Sequence, residues 1–94
     1  MTDVVVTWKR VAVMAELKKM DIKTSAAANS GHLYDTNMDA SDGRGREFEV
    51  ITDAYHVGAT GTRVDAGWDA SSGIVTLGTV AGGAVSVYLV IEGY

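Results

Sequence analysis

Histidine is the side chain of this sequence best suited to acid–base or metal chemistry, because the chain has no cysteine. The two histidines, His32 and His56, lie far apart in the sequence. Asp53 precedes His56 by three residues, and an alternating strand places such side chains on opposite faces. No serine lies in a nucleophile-elbow pattern, so no nucleophile and base can be paired. The residues therefore predict no catalytic site, no metal and no cofactor, and a chain that is not an enzyme.

An acidic stretch carries the alternate oxygen donors of a calcium loop. Asp35, Asn37 and Asp39 have the Asp-x-Asn-x-Asp spacing that supplies ligands from every second residue. The sixth position of such a loop needs glycine and the twelfth needs a bidentate glutamate, but here they are Ala40 and Arg46. We therefore interpret this stretch as a solvated polar loop.

The chain is small and acidic, with 94 residues, 12 Asp and Glu, 8 Lys and Arg, and a net charge of -4. This charge argues against a nucleic-acid partner, because contacts to phosphates need clustered Lys and Arg. The longest apolar run, at residues 87–91, is far shorter than the ~20 residues of a membrane helix. The first ten residues lack the basic and apolar regions of a secretory signal. We expect a soluble protein that has no membrane partner.

The small size also predicts association with other chains. A domain of this length buries only ~60–65% of the surface of its unfolded chain, so a lone monomer is marginally stable. The absence of cysteine excludes disulfides and the usual structural zinc sites. Small domains of this kind commonly gain stability as closed symmetric oligomers. We expect a homo-oligomer, with a trimer as one option.

The first half of the chain begins as β-structure and then loses its periodicity. Residues 4–8 are rich in β-branched and aromatic side chains and predict a first strand. Residues 9–20 are ambiguous: alternation favours a strand at residues 10–15, although the spacing of Val13, Leu17 and Met20 also fits a short N-terminal helix. Residues 24–46 have no lasting period and predict a long polar loop or arm, with a short strand at 32–34 in its middle.

Short strands separated by turns are predicted for the second half. Val85, Val87, Leu89 and Ile91 lie on one face of the most apolar strand, which suits a sheet centre or an interface. Regular spacing of short strands indicates an all-β fold, a small antiparallel β-sandwich or barrel, with residues 1–94 as one domain. The predicted strands are residues 47–52 with an extension over 54–57, then 62–69, 74–77 and 84–91, with a tight turn at 69–73. In the first of these strands, alternation places Phe48 and Val50 on one face.

Two stretches resemble structural proteins of tailed bacteriophages. Residues 6–11, Val-Thr-Trp-Lys-Arg-Val, followed by Glu-Leu at 16–17, are similar to the opening of many small phage structural proteins. Residues 69–77, Asp-Ala-Ser-Ser-Gly-Ile-Val-Thr-Leu, with Ser-Val-Tyr-Leu-Val at 86–90, resemble the β-hairpin endings of capsid-decoration and tail proteins. The resemblance implies a virion structural protein that is made in the bacterial cytoplasm. It transfers no catalytic residue.

The expected function is therefore assembly. We expect a capsid decoration or cement protein, located in the virion, that binds the major capsid protein as a homo-oligomer. The alternative is a tail-fibre, baseplate or adhesin module that binds a host glycan through exposed aromatic residues, namely Tyr34, Tyr55 or Trp68. The side chains expected to contact partners are Trp8, Lys9, Arg10, Arg44, Arg46, Tyr88 and Tyr94.

Overall fold

The computed structural model describes residues 4–14, 17–36, 48, 50–58, 61–69, 72–80 and 85–94. The five strands β1, β2, β8, β4 and β5 form one antiparallel sheet in that spatial order, and β3, β7 and β6 form a second. The sheets are open, so the all-β, sandwich-like prediction is confirmed. The strand bounds are β1 Val6–Met14, β2 Leu17–Thr24, β3 Leu33–Asp35, β4 Ile51–Val57, β5 Arg63–Asp65, β6 Gly67–Trp68, β7 Ile74–Thr76 and β8 Tyr88–Gly93.

One hydrophobic core joins the two sheets. Strand β8 lies at the centre of the five-stranded sheet, and its Leu89 and Ile91 are fully buried, as the alternation predicted. These side chains lie opposite Ile22 and Met20 of β2. The three-stranded sheet and its flanks cover them with Tyr34, Val75, Leu77 and Val80.

Strands β1 and β2 form an antiparallel β-hairpin. Strands β1 and β2 pair from Arg10 with Asp21 to Met14 with Leu17, with residues 15–16 between them. The favoured strand is confirmed over the described residues, and the alternative of a short N-terminal helix is wrong. The helix-forming residues become β-structure because β2 also pairs with β8 and buries Met20 in the core, a long-range gain that outweighs local propensity.

Residues 62–69, predicted as one strand, are divided between the two sheets. Strand β5 pairs with β4, whereas β6 pairs with β7. The change of sheet occurs at Ala66, which is buried and whose N–H donates to the carbonyl of Ala54 at 2.9 Å. Alternation of side chains continues through such a break, so the period alone could not reveal it.

Residues 24–36 of the predicted polar arm pack onto the domain. The short strand expected there is present as β3, which pairs with β7. Ala28, Tyr34 and Thr36 are buried, and the Thr36 hydroxyl donates to a backbone carbonyl at 2.6 Å. This part of the segment is therefore not a free arm. Residues 37–46 lie outside the described residues.

The turn predicted at residues 69–73 joins β6 to β7. The N–H of Gly73 donates to the carbonyl of Asp69 at 2.9 Å, and Gly73 has a φ of 72°. Glycine suits this left-handed conformation because it has no β carbon. The Asp69 carboxylate also accepts a hydrogen bond from the N–H of Ser72 at 3.3 Å.

The strand predicted at 47–52 starts later than expected, because β4 begins at Ile51. Phe48 is buried, but Val50, which was assigned to the same face, is 42% exposed. Val50 instead continues the pairing of β4 with β8 by one residue. Its N–H and carbonyl form two backbone hydrogen bonds of 2.9 Å with Tyr94. The shared face of Phe48 and Val50 was a wrong prediction.

Candidate functional site

The outer face of the five-stranded sheet, defined as the face turned away from the core, carries the candidate site. Side chains that lie directly opposite each other on paired antiparallel strands share one face. Two rows of such partners cross the outer face. One row contains Trp8, Lys23, Tyr88 and Val57, and the next contains Arg10, Asp21, Val90 and Tyr55.

Asp21 is a buried carboxylate in the middle of this outer face. Its side chain is 2% exposed, and Arg10, directly opposite on β1, donates to its Oδ2 at 2.8 Å. Its Oδ1 is buried and has no hydrogen-bond partner among the described residues. The hydrogen bond and the charge of Asp21 raise the pKa of Arg10, with a further contribution from Tyr88. Arg10 is therefore a cation that shields Asp21 from water.

Two exposed aromatic rings flank the ion pair. The Arg10 guanidinium lies 5.7 Å from the centroid of the Trp8 ring, within the range of a cation–π contact. Trp8 and Tyr88 are 45% and 38% exposed and lie on either side of Lys23. Trp8, Arg10, Asp21, Lys23 and Tyr88 together form what we call the Trp8–Tyr88 cluster. Aromatic residues and arginine are enriched where proteins bind one another, so this cluster suits a protein contact.

A second ionic and aromatic group lies across the sheet, at the junction of β4 and β5. The Arg63 guanidinium lies 4.0 Å from the centroid of the Tyr55 ring. It also contacts Asp53 at 3.1 Å and Asp65 at 3.3 Å. Solvent screens these exposed pairs, so each one contributes little to stability. Arg63 covers one face of the Tyr55 ring.

The structure brings together three of the residues expected to contact partners. Trp8, Arg10 and Tyr88 come from opposite ends of the sequence and meet because β2 pairs with both β1 and β8. Lys9 is exposed, but it lies opposite Ile22 and therefore belongs to the core side of the sheet. It is not part of the Trp8–Tyr88 cluster.

Tyr94 lies at the other end of the outer face, beside further exposed apolar side chains. It is 46% exposed and pairs with Val50. Leu17, next to the residue that pairs with Gly93, is 55% exposed. A groove of about 150 Å³ runs past Leu17 and Gly93. Arg44 and Arg46, also expected to contact partners, lie outside the described residues.

The sequence analysis did not single out Asp21 or Lys23, although a signal for Asp21 was present. Arg10 and Asp21 are equally distant from residues 15–16, so a hairpin centred there would pair them. Opposite charges at such positions indicate a cross-strand ion pair. The signal was missed because residues 15–16 are Ala-Glu and lack the Gly or Asn that usually marks a hairpin turn.

His56 is buried on the core side of β4. Its side chain is 1% exposed, and its Nε2 has no hydrogen-bond partner among the described residues. Its direct cross-strand neighbours are Leu89 and Val64. Burial lowers the pKa of His56, because apolar surroundings disfavour the imidazolium. His56 is thus a neutral residue of the core and not an accessible base.

Mild acid should destabilise the fold through His56. An unfolded histidine has a pKa of about 6.5, so below that pH the unfolded chain takes up a proton that the folded chain refuses. The free energy of unfolding should therefore fall as the pH decreases from about 6.5 toward the lower pKa of the folded state. Urea denaturation at a series of pH values measures this decline. His56→Leu should remove most of this decline, whereas the control His32→Gln should leave it in place. An unchanged decline in His56→Leu would contradict the assignment of the pH dependence to His56.

The described residues contain neither a cluster of metal ligands nor a helix that could span a membrane. No three of their His, Asp and Glu side chains lie close enough together to hold a metal ion. Of the calcium-like trio, Asp35 lies in β3 opposite Ile74, while Asn37 and Asp39 are outside the described residues. No helix in the described part of the chain has the length and apolarity to cross a membrane.

The three aromatic residues considered for glycan binding have different environments. Tyr34 is 5% exposed and belongs to the core, so its assignment as an exposed ring is wrong. Tyr55 lies beneath Arg63. Trp68 is 39% exposed and borders an open trough of about 600 Å³ along β6 and β7.

Comparison of this chain with protein-family models, with curated proteins and with solved structures finds no match.

Proposed function

We propose that this protein is a non-enzymatic structural protein of a tailed-bacteriophage virion, a capsid decoration protein that self-associates and binds the major capsid protein. The resemblance of residues 6–11 and 69–77 to phage structural proteins supports the virion assignment. Exposed apolar side chains on the five-stranded sheet support self-association.

The observation that carries the proposal is a group of exposed apolar side chains on the β1–β2 hairpin and the residues before it. Val5, Val13 and Leu17 are 60%, 64% and 55% exposed, and Trp8 is 45% exposed. Val13 lies on one face of the hairpin and Trp8 on the other, so a partner along the hairpin would cover apolar side chains on both faces. An oligomer of this kind would remove them from water and increase the buried apolar surface of a small domain.

The purified protein should be an oligomer in solution. Size-exclusion chromatography with light scattering should give a mass of at least twice that of the 9.9 kDa chain. Val13→Lys places a positive charge on the exposed hairpin, which already carries Lys9 and Arg10, and should shift the mass toward the monomer. Thr62→Lys adds the same charge at an exposed position away from the hairpin and serves as the matched control. A monomer at all concentrations would contradict self-association.

The virion assignment has its own test. Mass spectrometry of purified virions should detect the chain in a copy number comparable to that of the major capsid protein. A chain that is absent, or present in only a few copies, would contradict a role as a capsid decoration protein. This result is independent of the oligomeric state in solution.

Glycan binding at Trp68 is the second candidate function. The trough beside it is lined by Gly67, Asp69, Ile74 and Thr76, and no atom lies within 4 Å of the position that a β carbon on Gly67 would take. Trp68 lies opposite the buried Val75, so only the exposed part of its side chain, at the border of the trough, is open to contact with a sugar ring. Trp68→Ala should abolish binding on a glycan array, while Trp8→Ala, which removes an equally exposed ring, should not. A wild-type protein that binds no glycan on the array would contradict this function.

A further inference from the structure

Strand β1 has an unpaired long edge among the described residues. It lies at one end of the strand order, with β2 on its only described neighbouring side. The remaining sheet edges are short, since β5 and β3 have three residues each and β6 has two, whereas β1 has nine. A long free edge presents a row of unpaired N–H and C=O groups to any further strand. The edge of β1 is therefore the place where a described sheet can be extended.

The side chains of β1 protect this edge only in part. Proteins commonly guard exposed edges with proline or with charges that repel a neighbour. The chain has no proline, and of the two cations on β1, Lys9 is exposed, while Arg10 is compensated by Asp21 at 2.8 Å. A strand that pairs here must therefore keep a like charge away from Lys9. Val13 and Trp8 leave apolar surface on both sides of the strand. Because Arg10 is already paired, the edge does not need an acidic strand as its partner.

We propose that two copies of this chain join through antiparallel pairing of their β1 strands, with the two-fold axis at Val11. This inference rests on the self-association in the proposed function and specifies its surface. The pairing would extend each five-stranded sheet into one sheet of ten strands. It is isologous, so it closes as a dimer.

The charges along β1 select this register. With a two-fold axis perpendicular to the sheet, the outer faces of the two copies form one continuous surface. The residue of β1 at the axis then pairs with the same residue of the other copy. An axis at Lys9 or at Arg10 would place that cation directly opposite its own copy, which is destabilising. An axis at Val11 places Arg10 opposite the partner's Ala12 and Lys9 opposite the partner's Val13. No two cations then face each other directly.

The axis at Val11 also avoids the irregular part of the strand. It pairs residues 8–14 of one copy with residues 14–8 of the other, so that Trp8 lies opposite the partner's Met14. The register of β1 with β2 shifts between Val6 and Trp8, so the irregularity lies just outside the paired segment. An axis at Ala12 would also avoid like charges, but it would pair fewer residues of β1.

Single cysteines in this cysteine-free chain test the register. In Val11→Cys the two sulfur-bearing residues would be direct partners, with α carbons about 4.5–5.5 Å apart, which suits a disulfide. In Val13→Cys the partner cysteine would lie four residues away along the strand, about 13 Å, too far for a disulfide. Mild oxidation should link most of Val11→Cys into a dimer and at least about tenfold less of Val13→Cys. Val13 is the more exposed position, so random collision would give the opposite order.

Hydrogen exchange on the unmodified protein provides a second test that does not depend on a variant folding. Amide protection in residues 8–14 should decrease on dilution below the dissociation range, while protection in β8 should not change. A dimer that shows both results supports the inference. An oligomer without the Val11→Cys link, or with concentration-independent exchange in β1, overturns the β1 pairing and leaves self-association intact. A trimer also overturns it, and a monomer at all concentrations overturns both proposals.

Discussion

Gly93→Ala should lower the free energy of unfolding by about 3 kcal/mol, near the upper end for one methyl group inserted into a packed region. Gly93 lies in the central strand β8, between Lys18 of β2 and Ile51 of β4. A β carbon at this position would overlap the carbonyl oxygen of Val50 and lie 2.9 Å from Cδ1 of Phe48. The carbonyl cannot turn aside as a flexible side chain could, because strand pairing holds it. Urea denaturation followed by circular dichroism measures the loss.

Gly58→Ala is the matched control for this substitution. Gly58 follows β4, and no atom lies within 4 Å of the position that its β carbon would take. Alanine there should be neutral or should stabilise the fold by about 0.4–1 kcal/mol, since it restricts the unfolded chain. Equal free energies of unfolding for the two variants would show that the contact between Gly93 and Val50 is not rigid.

Removal of Arg10 alone should destabilise the protein far more than removal of Arg10 and Asp21 together. Arg10→Met keeps an apolar stem over Trp8 but leaves the Asp21 carboxylate buried and uncompensated. A buried carboxylate that loses its counter-charge is destabilising, whereas exchange of both charges for apolar residues is often neutral or stabilising. The loss should stay below that of a fully buried pair, because the Arg10 side chain is 62% exposed. The double variant Arg10→Met with Asp21→Leu should therefore recover the stability that Arg10→Met loses.

The order of three urea midpoints decides this prediction. We expect Arg10→Met to unfold first, and the double variant to unfold at or above the midpoint of the unmodified protein. Asp21→Leu should lie close to the double variant, because Arg10 is largely exposed and water solvates it when its partner is absent. Additive effects of the two single substitutions would mean that the ion pair has no energetic coupling.

The fold class followed from the sequence because strand signals are local. The alternation that buries Leu89 and Ile91 and the Asp-to-Gly turn before β7 each depend on neighbouring residues, and both were predicted correctly, although β8 spans residues 88–93 and not the predicted 84–91. The hairpin of β1 and β2 was harder, because Ala-Glu at residues 15–16 favours a helix and carries no turn signal. The division at Ala66 depends on which sheet accepts each half of the stretch, and alternation contains no information about that choice.

The candidate site was predictable only in part. Trp8, Arg10 and Tyr88 could be chosen individually as aromatic and basic residues that suit partner contacts. Their meeting depends on the insertion of β8 between β2 and β4, a long-range pairing that no local pattern specifies. Asp21 was missed because its burial depends on two strand pairings. The pairing of β2 with β1 places it opposite Arg10, and the pairing of β2 with β8 places it opposite Val90.

The directions of β1 and β8 also determine how the sheet would carry a mechanical load. Both strands run from the end of the sheet at Lys23 to the end at Lys18, with β2 antiparallel between them. The start of β1 and the end of β8 therefore lie at opposite ends of the sheet. A force that draws these two points apart acts along the strands, and the interstrand hydrogen bonds lie across that direction. The bonds would share the force in shear and break together, whereas a force that peeled β1 sideways would break them one pair at a time.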